Sequence, residues 1–383
     1  MFLQTRSMST KVSRDNLKLL KNLYKAEGRF DSPTDLAEVL FRNVIHYKHK
    51  GDHSGLLVIN KPAGVPLKTS NDGLVGLQEA LPILGEKIGA KNISVIKSVQ
   101  RFSSGIVLLG TKDHTTHQVK NSFNRAKHNR YFKDSYFAIC YGISRKEATN
   151  ETVDLQFEKI RDDSNPITGQ RSKEPVISRT LTSRNQIHKR DSEITRVSVH
   201  SKVISRGHDG RSSLLRIEPT STINSFVQIY ANDLLCPIIG DHMYGYRTRH
   251  LLNKMVRVNP QKSPDPNAAV KNLPDWFLKK LGLYENEENL LPLHLHLGRV
   301  FLQDYLGKNN HLILRAPPPL FFQGTADCLG ISLEKEVLFD DMDTRRYEIV
   351  NKKDRSKKEF GMEIIPPEES SIEMQSDMDN KMN

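Results

Sequence analysis

The sequence predicts an α+β fold in which strands and hairpins outnumber helices. Short apolar runs such as "GLLVIN" from Gly55 stop at proline or glycine, as strands do. The pair Asp209-Gly210 stands between two alternating runs, which is a strong signal for a β-hairpin. Helical periodicity occurs in a few segments only and does not alternate regularly with the strands, so a βαβ arrangement is not expected.

The first predicted helix lies in "DSPTDLAEVLFRNVIHYK". Ser32 is the expected N-cap and Pro33 the first helical residue, and Leu36, Leu40 and Val44 follow at helical spacing. We expect this helix to pack on a main domain that begins at Gly55.

The stretch "SVIKSVQRFSSGIVLLG", residues 94–110, predicts a strand, a polar turn with Arg101, and a second strand. A basic helix and a strand from about Tyr136 to Tyr141 follow. Two further strands are expected at Ile194–Ser205 and Ser212–Glu218. The pattern predicts loops at Arg161–Ser192 and in the segment rich in Pro and Asn from Asn259.

Composition and charge favour a folded protein with a polyanionic partner. The 383 residues, 37% of them hydrophobic, suffice for one large domain or two ordinary ones. A net charge of +12 favours nucleic acid over a membrane, because no apolar run approaches the roughly 20 residues of a span, although solvated surface charge is the alternative. Cys140, Cys236 and Cys328 are far apart, which indicates neither a zinc cluster nor a disulfide framework.

The two ends of the chain are polar and are expected to lie outside the folded part. The first 14 residues contain Arg6, Lys11 and Arg14 and no acid, as mitochondrial transit peptides do, and disordered basic tails share this composition. The predicted organisation is a transit-like, disordered segment at 1–30, an N-terminal helix at 31–54, the main domain at 55–335 and a polar tail at 336–383.

Several motifs together resemble the RluA-type pseudouridine synthases. They occur in the order and spacing of that family: "LLVINKPAGVPL" (56–67), "RFSSGIVLLG" (101–110), "SYFAICYG" (135–142), "CPIIGDHMYG" (236–245), "LPLHLHLGRVFL" (291–302) and "RAPPPLFF" (315–322). The resemblance covers residues 55–333. It implies a bent, mixed, mostly antiparallel sheet with flanking helices and a central RNA cleft, isomerisation of uridine to pseudouridine, and no cofactor.

The wording "GDHMY" and "PLHLHL" is most similar to an animal mitochondrial branch of this family. That similarity implies a place in the mitochondrial matrix, mitochondrial mRNA or ribosomal RNA as partner, and support of mitochondrial translation. Proteins of the mitochondrial ribosome or of RNA granules are further candidate partners.

The sequence departs from the family at its catalytic residue. The family motif is His-Arg-Leu-Asp-Arg-x-Thr-Ser-Gly, and Gln100 stands at the position of the aspartate, followed by Arg101. In the family the aspartate acts on the ribose of the target uridine as nucleophile or base. A neutral amide can do neither near pH 7. Whether the chain is an enzyme is therefore left open by its sequence.

A second departure concerns the arginine that forms an ion pair with that aspartate in the family. Counting back from "CPIIGD", this arginine corresponds to Gln228. One charge buried without its partner costs about 3 to 5 kcal/mol, whereas two amides can hydrogen-bond to each other. We therefore expect Gln100 and Gln228 to face each other across the site.

Four further sets of residues bear on the site: a tyrosine, a turn aspartate, two other aspartates and a pair of histidines. Tyr136 corresponds to the active-site tyrosine of the family, with Asp134 where a cation is usual, or it is an ordinary strand residue. Asp241 is expected to serve a turn, and nothing in the spacing of Asp233 or Asp113 suggests a substitute carboxylate. His294 and His296 share one strand face, and the pair without a third ligand does not indicate a metal site.

A basic segment around the predicted helix is the strongest candidate for contact with RNA phosphates, with aromatic residues interleaved for stacking. Cations at the end of a helix also complement its dipole, so a structural role is the alternative. Lys61 in "NKPAG" is similarly ambiguous. The candidate RNA-binding residues are Lys61, Arg101, Lys120, Arg125, Lys127, Arg130 and Lys133.

Three functions remain open on the sequence: an active RNA pseudouridine synthase, a catalytically inactive RNA-binding or ribosome-assembly factor that uses the same cleft, and a protein scaffold.

Overall fold

The computed structural model describes residues 14–48, 54–69, 73–161, 171–183, 193–251, 254–258, 273–333, 337 and 347–351. The predicted α+β fold with a mixed, mostly antiparallel sheet is confirmed.

The strands are β1 (Val44–Tyr47), β2 (Leu56–Lys61), β3 (Ser94–Lys97), β4 (Ser104–Gly110), β5 (Asp134–Tyr141), β6 (Ala148–Arg161), β7 (Arg171–Ser178), β8 (Thr195–Arg206), β9 (Ser212–Pro219), β10 (Thr248–Leu251), β11 (Lys254–Arg257), β12 (Leu295–Leu302), β13 (Asn310–Arg315) and β14 (Tyr347–Asn351). The helices are α1 (Arg14–Ala26), α2 (Pro33–Arg42), α3 (Leu77–Ile88), α4 (Asp113–His128), α5 (Phe226–Asp233), α6 (Asp275–Lys280) and α7 (Leu320–Leu329).

Twelve of the described strands form one sheet, in the order β1-β2-β4-β12-β5-β9-β8-β6-β7, with β3 on β4 and with β13 and β14 beyond β12. β10 and β11 form a separate hairpin. The pairing of β4 with β12 is parallel, and it joins the first third of the chain to the last. Gly105 permits this close approach, because its φ is +121° and a Cβ atom there would lie 2.4 Å from the carbonyl oxygen of Leu297.

The two faces of the sheet are covered by different elements. On one face, α2, α3 and α5 pack over buried residues of β2, β4, β5 and β9. On the other face, α1 and α7 cover Phe137, Ile139 and Leu214. Burial on both faces holds the centre of the sheet, where β4, β12 and β5 adjoin, as a rigid support.

The predicted helix from Ser32 is confirmed, with a correction at its end. The Ser32 hydroxyl accepts a hydrogen bond from the backbone N–H of Asp35 at 3.2 Å, and Pro33 is the first helical residue. The helix ends at Arg42, and Val44, which was expected within it, begins β1. Since β1 pairs with β2, the β-branched Val44 extends the sheet instead of the helix.

Helix α1 lies in the region that the composition predicted to be disordered, so that expectation is wrong for residues 14–26. Leu20 and Tyr24 are buried against α7, and the Tyr24 hydroxyl lies 2.7 Å from the Thr325 hydroxyl. The segment is basic overall, but it contains an apolar stripe that packs against α7 in the folded chain.

Two further strands occur where the sequence predicted loop or tail. β7 pairs residue for residue with Asp154–Arg161 of β6, and β14 pairs with β13. β7 carries charged residues and no apolar run, so its alternation gave no signal. The remaining predicted loop at 259–269 and most of the predicted tail lie outside the described residues.

The hairpin at Asp209-Gly210 is confirmed between β8 and β9, where Gly210 has a φ of +64°. Among the described residues, no helix combines the length and the apolar character needed to cross a bilayer.

Candidate active site

Gln100, Tyr136 and Gln228 line one small pocket at the centre of the sheet, with a volume of about 50 Å³. The β3–β4 turn supplies one wall, β5 and β12 the floor, and the segment that leads into α5 the other wall. The lining residues are Ser98, Val99, Gln100, Ser103, Tyr136, Thr222, Ser225, Val227, Gln228 and Leu295. Three positions that are more than 30 residues apart in sequence are thus brought together by the fold.

The β3–β4 turn is held by its own backbone and by Lys61. The N–H of Ser103 donates to the carbonyl oxygen of Gln100 at 3.2 Å, and the Lys61 ammonium donates to the carbonyl of Arg101 at 3.0 Å. The same ammonium donates to the carbonyls of Pro62 and Val65 at 2.8 and 3.0 Å.

The expectation that Lys61 contacts RNA is wrong for this structure, because only 1% of the residue is exposed. Burial lowers the pKa of Lys61 to about 7. Its role is to fix the turn that carries Gln100.

Gln100 lies at the mouth of the pocket and is exposed. Its side-chain N–H donates to the Ser225 hydroxyl at 3.0 Å. Ser225 and the preceding Asn224 have φ values of +58° and +50°, which non-glycine residues seldom adopt and which cost of order 1 kcal/mol each. This backbone places the Ser225 hydroxyl opposite Gln100.

Gln228 is buried, and its amide N–H donates to Asp241 at 3.1 Å. Its side-chain oxygen has no hydrogen-bond partner among the described residues. The two amides therefore share a pocket but do not hydrogen-bond to each other, and the expectation of mutual satisfaction is wrong. The physical reason is that Asp241, a buried carboxylate, is the stronger acceptor and lies within reach of α5.

Asp241 serves a turn, as the sequence predicted. Its Oδ1 accepts hydrogen bonds from the backbone N–H groups of Met243 and Tyr244 at 3.1 and 3.0 Å. Burial raises the pKa of Asp241. It lies behind Gln228 and does not line the pocket.

Tyr136 is buried in the floor of the pocket, and the Thr222 side chain hydrogen-bonds to its hydroxyl. Burial raises the pKa of the phenol, so it stays neutral at physiological pH. Asp134, two residues earlier, forms an ion pair of 2.6 Å with Lys97. This pair was not predicted, although the sequence contains a signal for it: an acid replaces the cation of the family, and Lys97 replaces a histidine.

The pocket lining contains no carboxylate and no cation. Asp233 is held by Arg179 and Arg257 at 2.5 and 3.0 Å, outside the pocket, and Asp113 lies in the first turn of α4. The arrangement can bind a polar ring through amide and hydroxyl groups next to Tyr136. Among the lining side chains, only the buried phenol of Tyr136 is titratable, and no carboxylate is available to act as nucleophile or general base.

The cations of the basic segment differ in their exposure. Lys120, Lys127 and Arg130, which we call the α4 cations, are exposed. Arg125 donates to the carbonyl oxygens of Gln303 and Asp304. The Lys133 ammonium lies 5.0 Å from the centre of the Phe123 ring, and burial lowers its pKa. Of the candidate RNA-binding residues, the α4 cations are exposed and Arg101 is partly exposed.

The aromatic residues expected to stack on bases are mostly engaged within the fold. Phe132 is buried against His200, and Tyr131 packs edge-on against Phe301. Phe102, beside Arg101, is 45% exposed, and no sequence argument had selected it. It is the aromatic ring that this turn presents to solvent.

His294 and His296 are buried structural residues. His296 has Nδ1 2.9 Å from the Ser104 hydroxyl and Nε2 2.9 Å from the Ala316 carbonyl, and His294 contacts the Ile239 carbonyl and the Thr325 hydroxyl. Both nitrogens of each ring are thus engaged. No group of three potential metal ligands occurs in the described part of the chain.

Comparisons with known proteins agree with the geometry. Residues 55–231 match the model of the RNA pseudouridylate synthase family. The chain is 29% identical to mitochondrial mRNA pseudouridine synthase RPUSD3 of Homo sapiens, over 74% of this chain and 76% of that protein. It is 25% identical to the mitochondrial pseudouridylate synthase RPUSD4 of Bos taurus, over 79% and 72% of the two chains.

A solved structure of human RNA pseudouridylate synthase domain containing 4 has the same fold. The TM-score is 0.55 at 23% identity, and the match covers 79% of this chain and 98% of that one. The motifs, the sheet and the match of residues 55–231 to the family model agree: the chain is similar to the RNA pseudouridylate synthase family.

Proposed function

We propose that this chain acts on mitochondrial RNA, either mRNA or ribosomal RNA, and supports mitochondrial translation from the matrix. The relatives that carry mitochondrial pseudouridine synthase names support the compartment and the class of RNA. Proteins of the mitochondrial ribosome or of RNA granules are the further partners of this proposal, and the chemistry needs no cofactor.

The observation that carries the proposal is the convergence of positions 100, 136 and 228 in one pocket. These are the positions at which the family holds its aspartate, tyrosine and arginine. Their convergence supports the interpretation that the pocket receives a uridine base. The α4 cations supply positive charge for phosphates: Lys120 and Lys127 lie on the helix that packs against β3, β4 and β12, and Arg130 follows its C-cap.

A second candidate function, RNA binding without isomerisation, is favoured by one specific observation. The pocket lining has no carboxylate, and Gln100 and Gln228 donate hydrogen bonds to Ser225 and Asp241 as stable amides. A protein with this site would hold RNA, for instance during ribosome assembly, and leave the uridine unchanged.

Pseudouridine mapping of mitochondrial RNA tests the two functions together. Cells with and without the protein are compared, and the deleted cells are complemented with the natural chain or with a variant in which the α4 cations are changed to Glu. Sites that disappear on deletion and return only with the natural chain establish the isomerase. Crosslinking of the protein to RNA without any dependent site establishes binding alone, and absence of both overturns the proposal.

A further inference from the structure

A groove of about 370 Å³ lies on the other side of the β3–β4 turn from the pocket. One wall is the end of α1 and the segment after it, residues 24–29. Another is the turn itself, at Arg101 and Phe102, and the floor is formed by residues 289–293. One of these three parts, residues 24–29, precedes both the stretch 55–231 that matches the family model and the motifs that resemble the family.

The groove and the pocket share a wall. Gln100 and Ser103 line the pocket, whereas Arg101 and Phe102, between them in sequence, line the groove. The floor is shared in the same way, since Leu293 lies in the groove and Leu295 in the pocket. The groove therefore lies next to the pocket, within reach of the residues that adjoin one held there.

The wall at residues 24–29 is fixed against the domain. Gly28 has a φ of +71°, and a Cβ atom on it would lie 2.4 Å from the carbonyl oxygen of Ala63 and 2.7 Å from Cα of Gly64. The backbone N–H of Ala63 also donates to the Glu27 carboxylate at 2.8 Å. These contacts hold the segment so closely that the groove is preformed, which reduces the ordering cost of binding.

The charge of the groove favours an anion. Lys25, Arg29 and Arg101 line it, and the one lining carboxylate, Glu27, is half-buried with a pKa that burial raises to about 7. Arg29 is exposed and has no ion-pair partner among the described residues. Phe102 adds an exposed ring, with the Arg101 guanidinium 5.0 Å from its centre. Cations next to an exposed aromatic face are the combination that binds single-stranded nucleic acid.

We propose that this groove binds the single-stranded RNA next to the nucleotide held in the pocket, with Lys25 and Arg29 on phosphates and Phe102 stacked on a base. The inference rests on the proposed function, since it requires that the chain bind RNA. It adds that the N-terminal segment forms part of the RNA-binding surface.

Fluorescence anisotropy of the full chain with a labelled 20-nucleotide oligouridylate tests the groove. The variant Lys25→Gln with Arg29→Gln is expected to weaken binding about tenfold and to flatten the slope of log affinity against log salt by about 1.4, the value for two phosphates of a single strand. The matched control is Arg14→Gln with Lys18→Gln, which removes the same charge from an exposed part of α1 outside the groove. It is expected to stay within about twofold of the natural chain.

Stacking is tested at Phe102, which is 45% exposed. Phe102→Leu is expected to lose about fivefold or more in affinity, whereas Phe102→Tyr keeps the ring and the affinity. Equal effects of the groove variant and the control variant, or equal affinity of Phe102→Leu and Phe102→Tyr, would overturn the groove while leaving RNA binding intact. Failure of the natural chain to bind the oligouridylate in 50 mM salt would instead overturn the proposed function.

Discussion

Restoring the charges of the family at positions 100 and 228 should restore uridine isomerisation. Gln100→Asp places a carboxylate at the exposed mouth of the pocket, and Gln228→Arg places a guanidinium in its buried wall. Loss of a catalytic carboxylate costs on the order of 10⁴ in rate, so the double variant should form pseudouridine about 10⁴ times faster than the natural chain.

The two substitutions differ in their expected effect on stability. Position 100 is exposed, so Gln100→Asp should change the free energy of unfolding by about 0.5 kcal/mol or less. Gln228→Arg buries a charge, at a cost of about 3 to 5 kcal/mol without a partner. Asp241, which accepts from Gln228 at 3.1 Å, would offset part of that cost. We expect the carboxylate at position 100 to offset roughly a further 1 to 3 kcal/mol of that cost, which is measured as the coupling energy of the double-mutant cycle.

Chromatography of nuclease-digested RNA measures the product, with mitochondrial RNA from cells that lack the protein as substrate. Urea unfolding measures the coupling. Gln100→Asn with Gln228→Arg is the matched control, because it keeps the size of the aspartate without its charge. If the natural chain and this control form pseudouridine as fast as the double variant, a carboxylate at position 100 is not required for isomerisation.

Three other outcomes follow from the structure. Burial lowers the pKa of His294 and His296 to about 4, so below about pH 6.5 these histidines bind protons in the unfolded chain but not in the folded one. Each histidine should therefore lower the free energy of unfolding by about 2 kcal/mol between pH 7.5 and pH 5. A flat urea-unfolding profile over that range would contradict this. Gly105→Ala should lower the free energy of unfolding by about 3 kcal/mol or more, because the new Cβ atom meets the Leu297 carbonyl. A thermal midpoint equal to that of the natural chain would refute the close approach of β4 and β12. RNA affinity of the natural chain should fall by orders of magnitude between about 50 and 200 mM salt. Changing the α4 cations to Gln should flatten the slope of log affinity against log salt. A complex insensitive to salt would favour a protein scaffold instead.

The sequence predicted the parts of the fold whose patterns are local. Ser32 and Pro33 mark a helix start through their own backbone chemistry, and Asp209-Gly210 marks a hairpin in the same way. α1 and β7 gave no such signal, because each depends on a distant partner: α1 on α7 and β7 on β6. Tertiary pairing can override local composition, which by itself favours disorder or loop in both segments.

For the candidate site, the sequence predicted which positions come together but not which side chains are exposed. The motifs predicted that positions 100, 136 and 228 belong to one site, and they line one pocket. The motifs did not predict which side chains are free to meet RNA. Lys61 and Phe132 have the residue types of an RNA contact, but their burial is decided by packing around the β3–β4 turn and β8. Phe102 was overlooked for the converse reason, since an aromatic residue beside a strand ordinarily belongs to a core.

The hydrogen bonds of Gln100 and Gln228 predict that removing the two side chains changes stability independently. Each amide donates to a different acceptor, Ser225 and Asp241, so the two side chains share no partner. Removing them should therefore be additive. Gln228→Ala should cost about 1 to 3 kcal/mol because buried Asp241 loses a donor, Gln100→Ala should cost about 0.5 kcal/mol or less, and their coupling should be below roughly 0.5 kcal/mol.

Urea unfolding of the two single variants and the double variant measures that coupling. Gln228→Glu serves as the control for Asp241, since it places a second acid beside the carboxylate and should destabilise more than Gln228→Ala. A coupling above about 1 kcal/mol between the two alanine substitutions would mean that the amides pair in solution and that the loss of the charged pair was compensated within the site. A coupling near zero means that Ser225 and Asp241 hold the two amides independently, as their separate hydrogen bonds indicate.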